Sequence, residues 1–234
     1  MSNAVGALIL HVRSKNTMIL GRRQFLKFVA SAVAGAHAEA VPNIYRSSTV
    51  FVDQQLGFGF RIPKGWHLES FREDFNEILG GQRLAEPYAD DKEIFDELTE
   101  GLMATLSKYP IDEESPKRFS PSVTFFKDTS DCLDEYEDLL DLSSSAISGF
   151  SEVLTDYECI ESPSYINRGD CVMVRSKSKF LFEHEELDSS LIDDETFLIH
   201  HKKSIYTIHL YDSPYLGDSA QSEFALFKDS LHIA

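Results

Sequence analysis

A mostly antiparallel sheet flanked by helices, an α/β (α+β) fold, is what this sequence predicts. Three observations lead there. Apolar residues alternate with polar or small ones in several short runs, Leu133–Phe150 and Phe224–Leu231 carry apolar residues at helical intervals, and two strand-like runs are joined by only Lys202 and Lys203. With 234 residues, 42% of them apolar, 17 Phe and 9 Tyr, the chain can bury one full core without a metal or disulfide. Residues 41–234 are therefore expected to form a single domain.

Taken in order, Thr49–Asp53 reads as a short strand, and Gly57–Ile62 places Phe58, Phe60 and Ile62 on one buried face. Pro63-Lys64-Gly65 makes a turn, after which Trp66–Ser70 continues as a strand with Trp66 and Leu68 inward. Ile94, Phe95, Leu98 and Leu102 predict a helix within Asp90–Glu100. Pro110 argues that Leu102–Tyr109 is a strand paired with Ser122–Phe126, with Ile111–Ser120 an exposed loop between them.

Leu133, Tyr136, Leu140, Ile147 and Phe150 predict a helix starting after Asp131 as N-cap. Asp134, Glu135, Glu137 and Asp138 would lie outward near its positive end. Strands are expected over Val153–Ile160, Ser164–Asn167 and Cys171–Phe182, with Arg168-Gly169 at a hairpin tip that sets Cys171 opposite Ile166. In the last hairpin, both alternating sets of Ser204–Tyr211 are largely apolar or aromatic, which suits a strand covered on both faces. A closing helix from about Ala220 carries Phe224, Phe227 and Leu231 on one side, with Asp218 and Gln221 as a capping box.

The N-terminus holds an address. Arg22-Arg23-Gln24-Phe25-Leu26-Lys27, followed by a mildly apolar run to Ala36, resembles the twin-arginine signal peptides. The export-signal residues are Arg22, Arg23, Phe25, Leu26 and Lys27; Ala36, Ala38 and Ala40 form the cleavage region, with cutting after Ala38 or Ala40. The competing reading is an ordinary amphipathic helix, since Phe25, Phe28, Val29 and Ala32 also fall at helical spacing. Met18 would give a more compact signal than Met1, so both starts stay open. The apolar run falls short of the roughly 20 residues of a membrane span, so no stable anchor is expected after cleavage. The resemblance implies export in folded form to a periplasmic or thylakoid-lumen-like compartment.

Gly57-Phe58-Gly59-Phe60-Arg61-Ile62-Pro63-Lys64-Gly65-Trp66, with the order strands, helix, strands, helix, resembles the opening of the PsbP/Mog1-like (DUF1795-type) domains. The likeness spans about residues 49–234 and implies an α/β/α sandwich. It also implies binding or assembly rather than chemistry, because that group shares no catalytic motif to carry over. The acidic stretch Phe71–Glu100 departs from the compact pattern.

Charge narrows the partners. The 22 Lys plus Arg against 39 Asp plus Glu give −17; from residue 41 onward the counts are 17 and 38, or −21. Such a chain repels phosphate backbones and anionic lipid, leaving a protein partner in the cell envelope, a cation, or plain solubility. Ser145-Ala146-Ile147-Ser148-Gly149 lacks the first glycine of a nucleophile elbow, and no dinucleotide or phosphate loop is present.

Chemistry-bearing clusters have bland readings beside the sharp ones. His184-Glu185-Glu186 with Asp188, Asp193, Asp194 and Glu195 reads as a solvated acidic loop, or as a cation site without EF-hand spacing. If Lys202-Lys203 is a two-residue turn, His201 pairs with Ser204 and His209 with Thr196, which separates His200 and His201 from His209 too far for one metal. Cys132, Cys159 and Cys171 are read as free or buried thiols with no evident base among His67 and His184, and Trp66 as a core plug. No catalytic, cofactor or metal residue is assigned. The expected role is an exported, non-catalytic binding or assembly accessory protein; the alternatives are a small envelope hydrolase or metal-dependent enzyme, and an effector-type chaperone of the same fold.

Overall fold

A computed structural model describes residues 44–46, 49–53, 58–69, 102–109, 119–168, 171–183, 187–217 and 219–233. Two antiparallel sheets organise them. The small sheet runs β1 (Ile44–Arg46), β2 (Val50–Asp53), β3 (Phe58–Arg61) and β11 (His232–Ile233). The large one comprises β4 (His67–Glu69), β5 (Leu102–Ser107), β6 (Ser122–Thr129), β7 (Glu158–Arg168), β8 (Cys171–Phe182), β9 (Ser190–His201) and β10 (Ser204–Asp212), in the order β4-β5-β6-β10-β9-β8-β7. Helix α1 (Leu139–Val153) packs across β7, β8 and β9, and α2 (Gln221–Ser230) packs against β3. The expected mostly antiparallel sheet flanked by helices is present, and the small sheet shares a layer with α2.

Alternation along β10 builds both layers. Tyr206, Ile208 and Leu210 point into an aromatic core shared with the small sheet and α2, while Ile205 joins Leu139, Leu142, Val174 and Leu198 under α1. In the first core Phe60 stacks between Phe51 and Phe125, with ring centroids 5.0 and 4.6 Å apart, and meets Phe227 edge-on at 5.3 Å. Each such phenyl ring, fully buried, contributes about 1.5–3 kcal/mol. Trp66 is a core residue, edge-on to Phe224 at 5.6 Å. It gets there through a turn in which its N–H donates to Pro63 O at 3.1 Å and Gly65 takes φ +83°, the positive φ that a type II turn needs at its third position.

The structure moves several expected boundaries. Helix α1 starts at Leu139, with Asp138 as N-cap rather than Asp131: its carboxylate accepts from the N–H groups of Leu140 at 2.8 Å and Asp141 at 2.9 Å. Leu133 and Tyr136 belong to a 3₁₀ lead-in, Ser130–Glu135 and the bend after it, because a three-residue interval fits both helix types. The segment from Val153 stays helical or turns until β7 begins at Glu158. Cys171 pairs with Arg168, and Ile166 with Met173, so the hairpin tip lies one residue later than expected.

Phe119, at the end of the expected exposed loop, is buried edge-on against Phe182 at 5.4 Å. Helix α2 has Ala220 at its N-cap position, and Asp212 of β10 supplies the missing acceptor, taking the Ala220 N–H at 3.0 Å and the Ser219 hydroxyl at 2.8 Å. The helix expected within 90–100, Asp218, and all residues of the export signal and cleavage region lie outside the described residues. Among the described residues no helix is long and apolar enough to cross a membrane, which leaves strand-built spans untouched.

Candidate functional sites

The histidine register is as the two-residue turn predicts: His201 pairs with Ser204 and His209 with Thr196. Their surroundings differ sharply. His209 sits on the α1 face, 1% exposed, beside Asp194, 2% exposed. Thr196, one strand over and two residues beyond Asp194, lies between them.

Hydrogen-bond arithmetic assigns the protons of this trio. The Thr196 hydroxyl donates to Asp194 Oδ2 at 2.6 Å, and its one hydrogen is thereby used. Its oxygen then accepts from His209 Nδ1, 3.1 Å away, which puts the ring proton on Nδ1. Asp194 Oδ1 is 3.5 Å from the same nitrogen. Threonine and carboxylate thus converge on one ring atom, whereas a nucleophile and its orienting acid need the two opposite ring nitrogens. The hollow beside them, lined by Ser143, Phe150, Ser176, Thr196, Thr207 and His209, has a volume of about 10 Å³, the size of about one water. Among the described residues the trio ties β9 to β10 beneath α1, and the hollow has room for little more than a water.

The acidic run is a strand rather than a loop in its second half. Ser190, Ile192, Asp194 and Thr196 point inward and Leu191, Asp193 and Glu195 are half-buried, so period-two alternation persists under the charge. Asp193 has its carboxyl pushed up by burial and by Asp212, against Lys179 and Lys177. Glu195 goes the other way: burial alone would raise it, yet hydrogen bonds from Lys228 and Arg175 hold its carboxyl below the usual range. Glu161 bridges Arg175 at 3.1 Å and Lys177 at 2.9 Å, so charges link β7, β8, β9 and α2. Residues 184–186 lie outside the described residues, and among those described no three His, Cys, Asp or Glu side chains gather as metal ligands.

Neither Cys159 nor Cys171 is part of a disulfide, and nothing of the Cys132 side chain is described. Burial pushes the Cys159 thiol up. Cys171 is unlike it: its Sγ lies 3.5 Å from Nδ1 of His201, a base that sequence reasoning did not consider for it. The contact comes from the pairing of β8 with β9, in which Val172 lies opposite His200, and neither hairpin alone signals it.

An open hollow of the described surface, about 550 Å³, is lined by Arg61, Ile62, Pro63, Lys64, Leu226, Asp229 and Ser230, between the β3 turn and α2. Leu226 is 66% exposed there. The Ser230 hydroxyl accepts from the Arg61 N–H at 3.0 Å and pins the two walls together.

No protein-family model and no curated protein matches this chain. Among solved structures it is similar to cyanobacterial PsbP (CyanoP) from Synechocystis sp. PCC 6803, at 13% identity and a TM-score of 0.47, over 86% of this chain and 98% of that one. It is also similar to LpqN of Mycobacterium tuberculosis, described as involved in cell envelope biogenesis, at 9% identity and a TM-score of 0.44, over 75% and 82% of the two chains. Likeness at this level transfers neither family membership nor a role.

Proposed function

We propose that this chain is a folded export cargo of the twin-arginine route. Once cleaved in the Ala36–Ala40 region it serves as a non-catalytic binding or assembly accessory protein, residues 41–234 forming one PsbP/Mog1-like domain in a periplasmic or lumen-like compartment. The observation that carries the binding part is the contrast between two hollows. The hollow at the polar trio beneath α1 has room for about one water, while the open hollow beside α2 offers two cations against one carboxylate, Asp229, and an exposed leucine on an otherwise acidic chain. A protein segment presenting carboxylates to Arg61 and Lys64 and an apolar side chain to Leu226 fits that surface.

The test is affinity capture of the tagged chain from the exported fraction, with intact-mass measurement and a Leu226→Asp/Lys64→Glu comparison. The expected result is a mature chain beginning at Glu39 or Val41 with a reproducible partner that the double variant loses. An uncleaved chain found only in the cytoplasm would sink the export reading and favour an effector-type chaperone.

A further inference from the structure

The first turn of α2 takes its cap from the sheet. Ala220 stands at the N-cap position with no side-chain hydrogen bond of its own, and Asp212 does the capping. Its Oδ1 accepts from the N–H groups of Ser213 at 2.9 Å and Ala220 at 3.0 Å, and its Oδ2 from the Ser219 hydroxyl at 2.8 Å. Directly opposite Asp212 in the β9–β10 register stands Asp193, so two carboxylates share one side of the sheet on adjacent strands.

The two carboxyls are unequally provided for. Three donors point at Asp212, whereas Asp193 Oδ1 is buried without a hydrogen-bond partner among the described residues. On β8, Lys179 lies opposite Asp193, but its Nζ is taken by Glu158 at 2.6 Å, and that of Lys177 by Glu161 at 2.9 Å. Glu195, the next acid on the same face of β9, is held by Arg175 and by Lys228 of α2. Of the other charged side chains of α2, Glu223 pairs with Lys108 at 3.3 Å and Asp229 lines the open hollow. Tyr215, in the 3₁₀ turn Pro214–Leu216 against β9, brings an exposed phenol. A proton taken up by the pair therefore belongs to Asp193, whose carboxyl is pushed up by burial and by Asp212.

We infer that Asp193 and Asp212 form a proton-operated latch on the first turn of α2, closed when Asp193 carries a proton and loosened when both carboxylates are charged. Opening that turn parts the two carboxylates and admits water to Asp193, which returns it to ordinary acidity. The closed turn therefore binds the proton at higher pH than the open one. Its advantage is full in acid and is lost as pH rises through the raised value. Glu195 is displaced the other way, so its contact with Lys228 weakens only at lower pH, outside this window. The latch stands whether or not the open hollow binds a partner.

The test is amide hydrogen exchange of the full chain at pH 7 and just above the ordinary aspartate range, each rate referenced to that of an unstructured chain at the same pH. Protection of the Ala220 amide should rise about three- to tenfold at the lower pH, at rates that low urea leaves unchanged, the mark of local opening. Asp193→Asn, which removes a charge that lacks a partner, should hold Ala220 at the higher protection at both pH values. Asp212→Asn should hold it at the lower protection at both. A level Ala220 amide in the wild-type chain would overturn the latch without any variant. Exchange that low urea accelerates would assign the effect to unfolding of the whole chain, and a rise that persists in Asp193→Asn would place the proton on another group; either would overturn it equally.

Discussion

The two faces of the large sheet are built from the same strands and hold their partners by different physics. Toward the small sheet and α2 the sheet presents rings: Phe60 stacked on Phe51 and Phe125, with Phe227 edge-on. Toward α1 it presents Ser122, Thr124, Ser176, Asp194, Thr196, Thr207 and His209, all buried. The first face gains from area removed from water and from ring geometry. The second adds to its apolar cluster of Ile205, Leu139, Leu142, Val174 and Leu198 a set of polar atoms that stabilise only where each has a partner, so polar residues of similar burial there should differ in sign when replaced.

The largest effect is expected on the aromatic face. Phe60→Ala opens a cavity where three rings meet, and should cost about 3–5 kcal/mol in urea unfolding; a loss under about 1 kcal/mol would mean that the small sheet does not pack as described. On the α1 face the contrast is internal. Thr196→Val strips the hydroxyl that serves both Asp194 and His209, at a cost of about 1–3 kcal/mol. Thr207→Val removes a buried hydroxyl that makes no hydrogen bond among the described residues, and should be neutral within about 0.5 kcal/mol or stabilising. Equal losses for the two valines would erase the distinction between satisfied and unsatisfied hydroxyls.

The aromatic face was legible from sequence, because Phe60, Ile62, Trp66, Phe224 and Phe227 keep the period of their own element. The last hairpin was legible down to register, since a two-residue turn leaves no freedom. The polar face was not. Asp193, Asp194 and Glu195 look like solvated loop by composition, and only their strand partners show that Asp194 is buried and Glu195 bridges cations. The Asp194–Thr196–His209 trio could have been reached: Asp194 and Thr196 share a face, and the expected register already set Thr196 opposite His209. Cys171 beside His201 depends on how two separate hairpins abut, a non-local fact with no local signal.

The smallest expected effect bears on the charges that tie α2 to the strands beneath it. Glu195 is held below the ordinary glutamate range by Lys228 and Arg175, whose hydrogen bonds outweigh its burial, whereas in the unfolded chain it titrates within that ordinary range. With the folded value depressed, the unfolded chain binds the proton first as pH falls. The stabilising contribution is therefore complete above the unfolded value and disappears as pH falls through the folded one. Glu195→Gln should accordingly be less stable than wild type at pH 7, and the gap between their urea midpoints should close as the pH drops below the glutamate range. A gap that stays constant down to strong acid would show that the variant's deficit is one of packing, and that the Lys228 and Arg175 contacts add no charge-dependent stability to the joint between β9 and α2.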